Sequence, residues 1–279
     1  MIPLEYLLRF IEEDSPFGDI TSDTVIPDCS CSAVIRTEQD GIVAGIAEAS
    51  ALFSHFGIVV KQKKHDGDTV KSGVIVLSIS GNARAILLVE RTALNIIGRM
   101  SGIATQTRKL SDIVAAVNSR CRIAATRKTA PGLRALDKKA VQMGGGDPHR
   151  MNLSDGILIK DNHLSLVPLT KAIRAAKAAS AYRKIEVEVE TPDNALTAAK
   201  AGADIILLDN MTPGLVRKTL AGLKRAGLRE HVVIELSGGI TDKTLPDYAA
   251  LDVDTISMGV LTHTVRNFSV TLEMVRDDR

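Results

Sequence analysis

The sequence predicts a two-part α/β protein, an N-terminal α/β unit with antiparallel strands followed by an incomplete parallel α/β barrel. Three observations predict it. From residue 121 to residue 259, six short apolar runs alternate with helical stretches, the pattern of a parallel sheet with right-handed crossovers. From 33 to 80, short β-like pieces are separated by glycines and interrupted by one helical stretch. Between the two patterns lies a long helical run from Ala83 to about Val117, and we place the domain boundary near residue 105. The N-terminal unit is therefore assigned residues 1–105, joined by the C-terminal segment 265–279, and the barrel residues 106–264.

Taken in order, residues 3–13 read as a helix because Leu4, Leu7, Leu8 and Ile11 recur at helical spacing. Pro16 and Gly18 in "DSPFGD" end it. The β-like pieces "SAVIRTE", "GIVAGI", "IVVKQKK" and "VIVLSIS" follow, with a helix near 45–56 among them. The stretch "HDGDTVKSGVIVLSIS" (65–80) resembles the turn of biotinyl and lipoyl domains, but no lysine stands in the context such a domain modifies. It reads as a structural turn. In "ARAILLVERTALNIIGRMSGIAT", Ile86, Leu87, Val89, Leu94, Ile97 and Met100 form a broad apolar helix face.

The barrel strands read as "CRIAAT" (121–126), "GILIK" (156–160), "IEVEVE" (185–190), "DIILLD" (204–209), "VVIEL" (232–236) and "DTISMG" (254–259). Helices are expected at 132–142, 165–181, 193–201, 213–226 and 242–250. Six units rather than eight imply a barrel that is incomplete or closed by other means, with its site at the C-terminal strand ends.

Composition narrows the function classes. Aromatics are 3% and Trp is absent, which argues against base-stacking platforms for single-stranded nucleic acid. A formal net charge of +2 gives no bulk attraction to nucleic acid or membranes, so any important positive charge is local. No run reaches the roughly 20 apolar residues of a membrane span. "MIPLEYLLRFIEEDSPFGD" has acids directly after its apolar part and no cleavage site, unlike a signal peptide. Cys29, Cys31 and Cys121 form an odd set that reads as idle thiols in a reducing compartment. A cytoplasmic protein is expected.

Three clusters carry the chemistry. "ATRKTAPGLR" (125–134) gathers Arg127, Lys128 and Arg134 without an acid, directly after the first barrel strand. "GGGDPHR" adds His149 and Arg150 before the second strand, and Lys160 ends that strand. On neighbouring parallel strands, Arg127, Lys128 and Lys160 share one rim, where guanidinium forks and a movable ammonium suit carboxylate or phosphate oxygens. In "IEVEVE", period two sends Glu186, Glu188 and Glu190 to one face, which must be the lumen because acids against the helices would be costly to bury. Glu190 is nearest the rim and best placed for function, with Glu186 and Glu188 as structural partners of inward cations. Asp209 ends the next strand beside Glu190, and two such carboxylates can hold Mg²⁺ through water or bind sugar hydroxyls. Finally, "ELSGGI" and "SMGVLTH" place Ser237, Gly238, Gly239, Ser257, Gly259 and His263 after the last two strands. Their backbone N–H groups can cradle a phosphate.

The motifs "ERTALN…SGIAT", "TRKTAPGLR", "GGGDPHR", "LIKDNH", "EVEVE", "LLDN", "SGGI" and "GVLTH", in that order, closely resemble the quinolinate phosphoribosyltransferase family. "EEDSPFGDITS" is similar to its N-terminal signature, so the resemblance covers nearly the whole chain. Two positions depart from the family pattern: Leu236 stands where Ala is usual and is expected to narrow the phosphate loop, and Thr264 stands where Ser often follows. The resemblance implies an N-terminal α/β sandwich with a type II phosphoribosyltransferase-like barrel. It implies transfer of phosphoribosyl from 5-phosphoribosyl-1-pyrophosphate to quinolinate, with Mg²⁺, giving nicotinate mononucleotide, pyrophosphate and CO₂. By motif matching, Arg127, Lys128, His149, Arg150 and Lys160 line the quinolinate pocket, while Arg91 reaches in from the neighbouring subunit of a homodimer or higher oligomer. Lys128, Lys160, Glu190 and Asp209 are the catalytic set, with Glu190 and Asp209 facing ribose and metal. Ser237, Gly238, Gly239, Ser257, Gly259 and His263 hold the 5′-phosphate. Two other readings stay open: a related phosphoribosyltransferase-like protein with another acidic substrate, and a non-catalytic barrel that senses a phosphorylated metabolite. Neither nucleic acid nor membrane is expected as a partner.

Overall fold

A computed structural model describes residues 2–275 and divides the chain into two units. The first comprises residues 1–108, 129–145 and 261–279, the second residues 109–128 and 146–260. Of the segment 265–279 assigned by sequence to the N-terminal unit, residues 276–279 lie outside the described residues.

Strands are numbered along the chain. In the first unit, β1 (Ser30–Thr37), β3 (Val59–Gln62), β5 (Ile75–Asn82) and the C-terminal β12 (Val270–Val275) form a sheet in the order β12-β1-β5-β3. Every pairing in it is antiparallel. Ala33 and Ile35 of β1 face Ile79 and Leu77 of β5, and all four are buried. The helix Ile46–His55 buries Ile46, Leu52 and Phe53, and Leu4–Asp14 buries Leu7 and Ile11 one turn apart. The turn read at 65–80 is structural: β4 (Thr69–Val70) pairs with β2 (Gly41–Ile42), and Asp68 accepts a hydrogen bond from the His65 amide. A short helix, Ile20–Val25, was not foreseen. Asp19 caps it by accepting from the Thr21 and Ser22 amides.

The helix Arg134–Met143 belongs to this first unit, although its place between two barrel strands suggested otherwise. Its partners explain the difference. Buried Asp137 takes a two-pronged ion pair from Arg99 (2.7 and 2.9 Å), and Lys139 bridges Glu48 and Asp66, each at 2.7 Å. Charged side chains this deeply placed require partners, and these partners lie on first-unit elements.

The second unit holds a parallel sheet of β6 (Arg122–Ala124), β7 (Ile157–Ile159), β8 (Ile185–Val189), β9 (Ile205–Asp209), β10 (Val233–Ser237) and β11 (Thr255–Ser257). Its order is β6-β11-β10-β9-β8-β7. The ladder does not close between β6 and β7; instead Asp147 forms a single parallel bridge to Ala124. Register fixes three lumen layers. Glu186, Ile205 and Val233 are level, then Glu188, Leu207, Glu235 and Thr255, then Asp209 and Ser237. On the opposite face Val187, Ile206, Leu208, Ile234, Leu236 and Ile256 are buried as the core beneath the helices. Leu236 therefore points away from the lumen and does not narrow the phosphate loop, contrary to the expectation for it.

Thr-Pro pairs start two of the outer helices. Thr191 caps Pro192–Ala201 and Thr212 caps Pro213–Arg225, each accepting from an amide three residues on, with proline in the first turn. The helix expected over 165–181 is shorter, Leu169–Ala179, because it starts after Pro168, and a further short helix, Asp161–Leu164, precedes it.

Candidate active site

A cavity of about 580 Å³ opens at the C-terminal ends of the six parallel strands. Its lining includes five cationic side chains. The chain leaves β6 through Ala125 and Thr126 to Arg127 and Lys128, both in the wall. The Thr126 hydroxyl accepts from the Lys128 amide at 3.1 Å and turns the chain there. Arg127 Nε is buried and has no hydrogen-bond partner among the described residues, a cost that a structure bears only for a reason.

His149 and Arg150 come from the loop that crosses the open seam between β6 and β7. Asp147 Oδ1 accepts from the His149 amide at 2.7 Å, and His149 adopts a left-handed φ of 54°. Its Nε2 then lies 3.3 Å from Glu235 and 3.6 Å from Glu186. Burial lowers the proton affinity of the ring, but the two carboxylates outweigh it and push its pKa up to about 10. The Arg150 amide, 2.7 Å from Nδ1, donates to that nitrogen and pulls toward the neutral ring. Either state puts a proton on Nε2. Arg150 donates to the Gly156 carbonyl at 3.2 Å, and burial together with the Arg127 charge draws its pKa down, against the pull of Glu186.

Lys160 follows β7 and pairs with Glu188, an acid in the cavity wall. Asp209 closes β9, and Asn210 (φ 51°) donates to its Oδ2 at 2.7 Å. The Asn210 amide also donates to the Ser237 carbonyl at 3.0 Å. Gly238 (φ +94°) sits against this side chain: a Cβ there would fall 2.2 Å from Asn210 Oδ1, so only glycine fits. Gly239 and Ser257 complete that wall. The Ser257 hydroxyl is already turned to the Leu236 carbonyl at 3.2 Å.

The structure thus brings Arg127, Lys128, His149, Arg150, Lys160, Asp209, Ser237, Gly238, Gly239 and Ser257 to one cavity. Glu190, Gly259, Arg91 and His263 are not in its wall. Glu190 is exposed past the end of β8, and Glu188, one pleat deeper, takes the place expected of it. Arg91 is exposed on the helix Ala83–Ala115, and the exposed His263 contacts the Thr264 hydroxyl at 2.7 Å; both are first-unit residues. Sequence reasoning passed over Glu235, although an acid within the apolar run "VVIEL" was its signal, and Asn210, whose positive φ leaves no mark in the sequence. Arg134 lies in the first unit, with Nε donating to Thr129 at 3.1 Å.

The family profile "Quinolinate phosphoribosyl transferase, C-terminal domain" matches residues 103–273, and the N-terminal domain profile of the same family matches residues 19–101. The chain is 44% identical to a probable nicotinate-nucleotide pyrophosphorylase (carboxylating) of Methanothermobacter thermautotrophicus, over 97% of this chain and 98% of that protein. It is 40% identical to the Bacillus subtilis protein of that name, over 96% and 92%. Among solved structures, the nicotinate-nucleotide pyrophosphorylase from Francisella tularensis superposes with a TM-score of 0.90 at 31% identity, covering 99% of this chain and 98% of the other.

Proposed function

The chain belongs to the quinolinate phosphoribosyltransferase family, and from that premise we propose that the cavity at the strand ends of the second unit is where its reaction takes place. The enzyme is a pentosyltransferase of NAD biosynthesis: it joins quinolinate to the phosphoribosyl group of 5-phosphoribosyl-1-pyrophosphate and releases pyrophosphate and CO₂, leaving nicotinate mononucleotide. The name carried by its relatives describes the same reaction from the product side. This removes the two other readings of the sequence.

One observation carries the site assignment: five cationic side chains, Arg127, Lys128, His149, Arg150 and Lys160, line one cavity together with Glu188 and Asp209. Charge-assisted hydrogen bonds contribute about 1.5–3 kcal/mol each, so a few of them seat a dianion. With quinolinate held there, its ring nitrogen meets the anomeric carbon without the entropic cost of a free encounter. As the bond to pyrophosphate breaks, positive charge develops on the sugar, and Glu188 and Asp209 stabilise it from fixed positions. The backbone at Ser237, Gly238 and Gly239 cradles the 5′-phosphate. Once alkylated, the pyridinium ring accepts the electron pair of the adjacent carboxylate as that group leaves as CO₂, and the ring carbon then takes a proton. The ring provides its own electron sink, so we assign no general base.

Mg²⁺ belongs to this reading. Asp209 offers a hard oxygen at the rim, oriented by Asn210, and Mg²⁺ is commonly held by one or two carboxylates, substrate phosphates and water. Asp209 would hold the ion, which would supply positive charge to offset that of the pyrophosphate. Glu190 has no part here.

We assign Arg91, exposed on its helix, to the cavity of a second copy of the chain, so the working form is a homodimer or larger. No helix among the described residues is long and apolar enough to cross a membrane. Three free thiols suit a reducing compartment, and we place the enzyme in the cytoplasm. The test is direct. Purified protein mixed with quinolinate, 5-phosphoribosyl-1-pyrophosphate and Mg²⁺ should yield the mononucleotide and CO₂ in equal amounts; turnover of nicotinate alone would overturn the substrate.

A further inference from the structure

We propose that Glu186 and Glu235 are positioning residues for this reaction, a buried carboxylate pair that grips His149 and fixes the wall against which the dianionic ring is seated. No step of the reaction proposed above uses either acid. Both lie inside the lumen, Glu186 at 5% exposure and Glu235 at 4%. They reach the imidazole from β8 and β10, one strand apart and one layer apart.

Several features converge on this grip. Two like charges desolvated together oppose folding, and a lumen filled by Ile or Val would avoid that. Burial and the Glu235 charge raise the Glu186 pKa against the help of His149 and Arg150, and Glu186 Oε1 is buried without a partner. The residue they hold has left-handed backbone, which few non-glycine residues adopt, and Asp147 pins its amide there. His149 also occupies a special place. It lines both the upper cavity and a second chamber of about 330 Å³ that reaches Glu186, Ile205 and Val233 in the layer below. Arg150 and Glu235 line both as well, so the ring lies at their shared border, where the paired acids keep it from turning. The charged groups around it are Glu186, Glu235, Asp147 and Arg150, with Arg127 beside Arg150 and Lys184 at the lower chamber.

The inference rests on the cavity being the quinolinate site, and its test separates the two. Glu186→Gln and Glu235→Gln are made in the full chain, with Glu235→Asp as the variant that keeps a carboxylate. In each Gln variant, KM for quinolinate should rise roughly 10- to 100-fold, from loss of a charge-assisted contact, while KM for the phosphoribosyl donor stays within about twofold. Glu235→Asp should recover part of that loss. In the unmodified enzyme, ring ¹⁵N spectra should show a protonated His149 Nε2 from about pH 5.5 to about pH 8.5, with no titration near the ordinary 6.5. The absence of that titration step is read in the unmodified enzyme, so it does not depend on any variant folding. An unchanged KM for quinolinate, equal rises for both substrates, a His149 that titrates normally, or a metal ion bound stoichiometrically to the three side chains would each overturn the clamp. Failure of the unmodified enzyme to turn over quinolinate would instead overturn the assignment of the cavity.

Discussion

Lys160 and Glu188 meet inside the cavity, so removing one leaves the charge of the other without its counter-ion. Glu188 is the deeper of the two at 13% side-chain exposure, against 42% for Lys160. Changing Lys160 or Arg150 to Ala should remove about 2–4 kcal/mol of transition-state stabilisation, read as a fall in kcat/KM. Near-normal values in either variant would contradict the pocket. His149 gives a pH signature. Its pKa rises from 6.5 to about 10 on folding, so its contribution to stability is fully present below pH 6.5 and is lost as pH rises through about 10. The denaturant midpoint should therefore fall from about pH 7 to about pH 10, and a Glu186→Gln/Glu235→Gln double variant should flatten that slope. Cys121 behaves oppositely to an exposed thiol: burial first, then Asp254, pushes its pKa up to about 12. At pH ~8 a thiol reagent should modify the exposed Cys29 rapidly and leave Cys121 intact until the protein unfolds.

At the scale of the element, the alternation of apolar runs and helices made the parallel sheet legible, because each strand buries one face under helices and turns the other to the lumen. The helices at 193–201 and 213–226 were legible too, and the structure adds their Thr-Pro caps. Replacing Thr191 or Thr212 by Ala should cost about 1 kcal/mol each, seen as a lower melting temperature with little change in KM. What stayed hidden depended on where strands stop. Period two placed Glu186, Glu188 and Glu190 on one face, but no pattern in "IEVEVE" shows that β8 ends at Val189 and leaves Glu190 outside the wall. The helix Arg134–Met143 was misplaced for a related reason. Position in the chain suggested the barrel, whereas its buried Asp137 is matched to Arg99 of the first unit.

For the whole molecule, the cations at 127, 128, 149, 150 and 160 were foreseen as one group, since all five follow or precede strands of a single sheet. Arg91 could not be placed that way, being on a helix of the other unit. Its assignment to a second copy gives a test by mixing. Arg91→Ala and Lys160→Ala proteins, each inactive alone, should regain about a quarter of full activity after being dissociated and reassociated together, because one intact cavity forms in each mixed dimer. Mixtures that stay inactive would place Arg91 elsewhere.

The gap between β6 and β7 gives this enzyme an unusual freedom. In a continuous ring every rim position is fixed by a neighbour on either side, and a change of loop length disturbs the hoop. Here a stretch of chain joined to the sheet through the Asp147 bridge and the Glu186 and Glu235 contacts of His149 spans the breach and delivers two of the recognition groups. That stretch can be lengthened, shortened or rewritten while the six hydrogen-bonded staves stay as they are, which makes it the natural place for this scaffold to acquire a taste for a different acid.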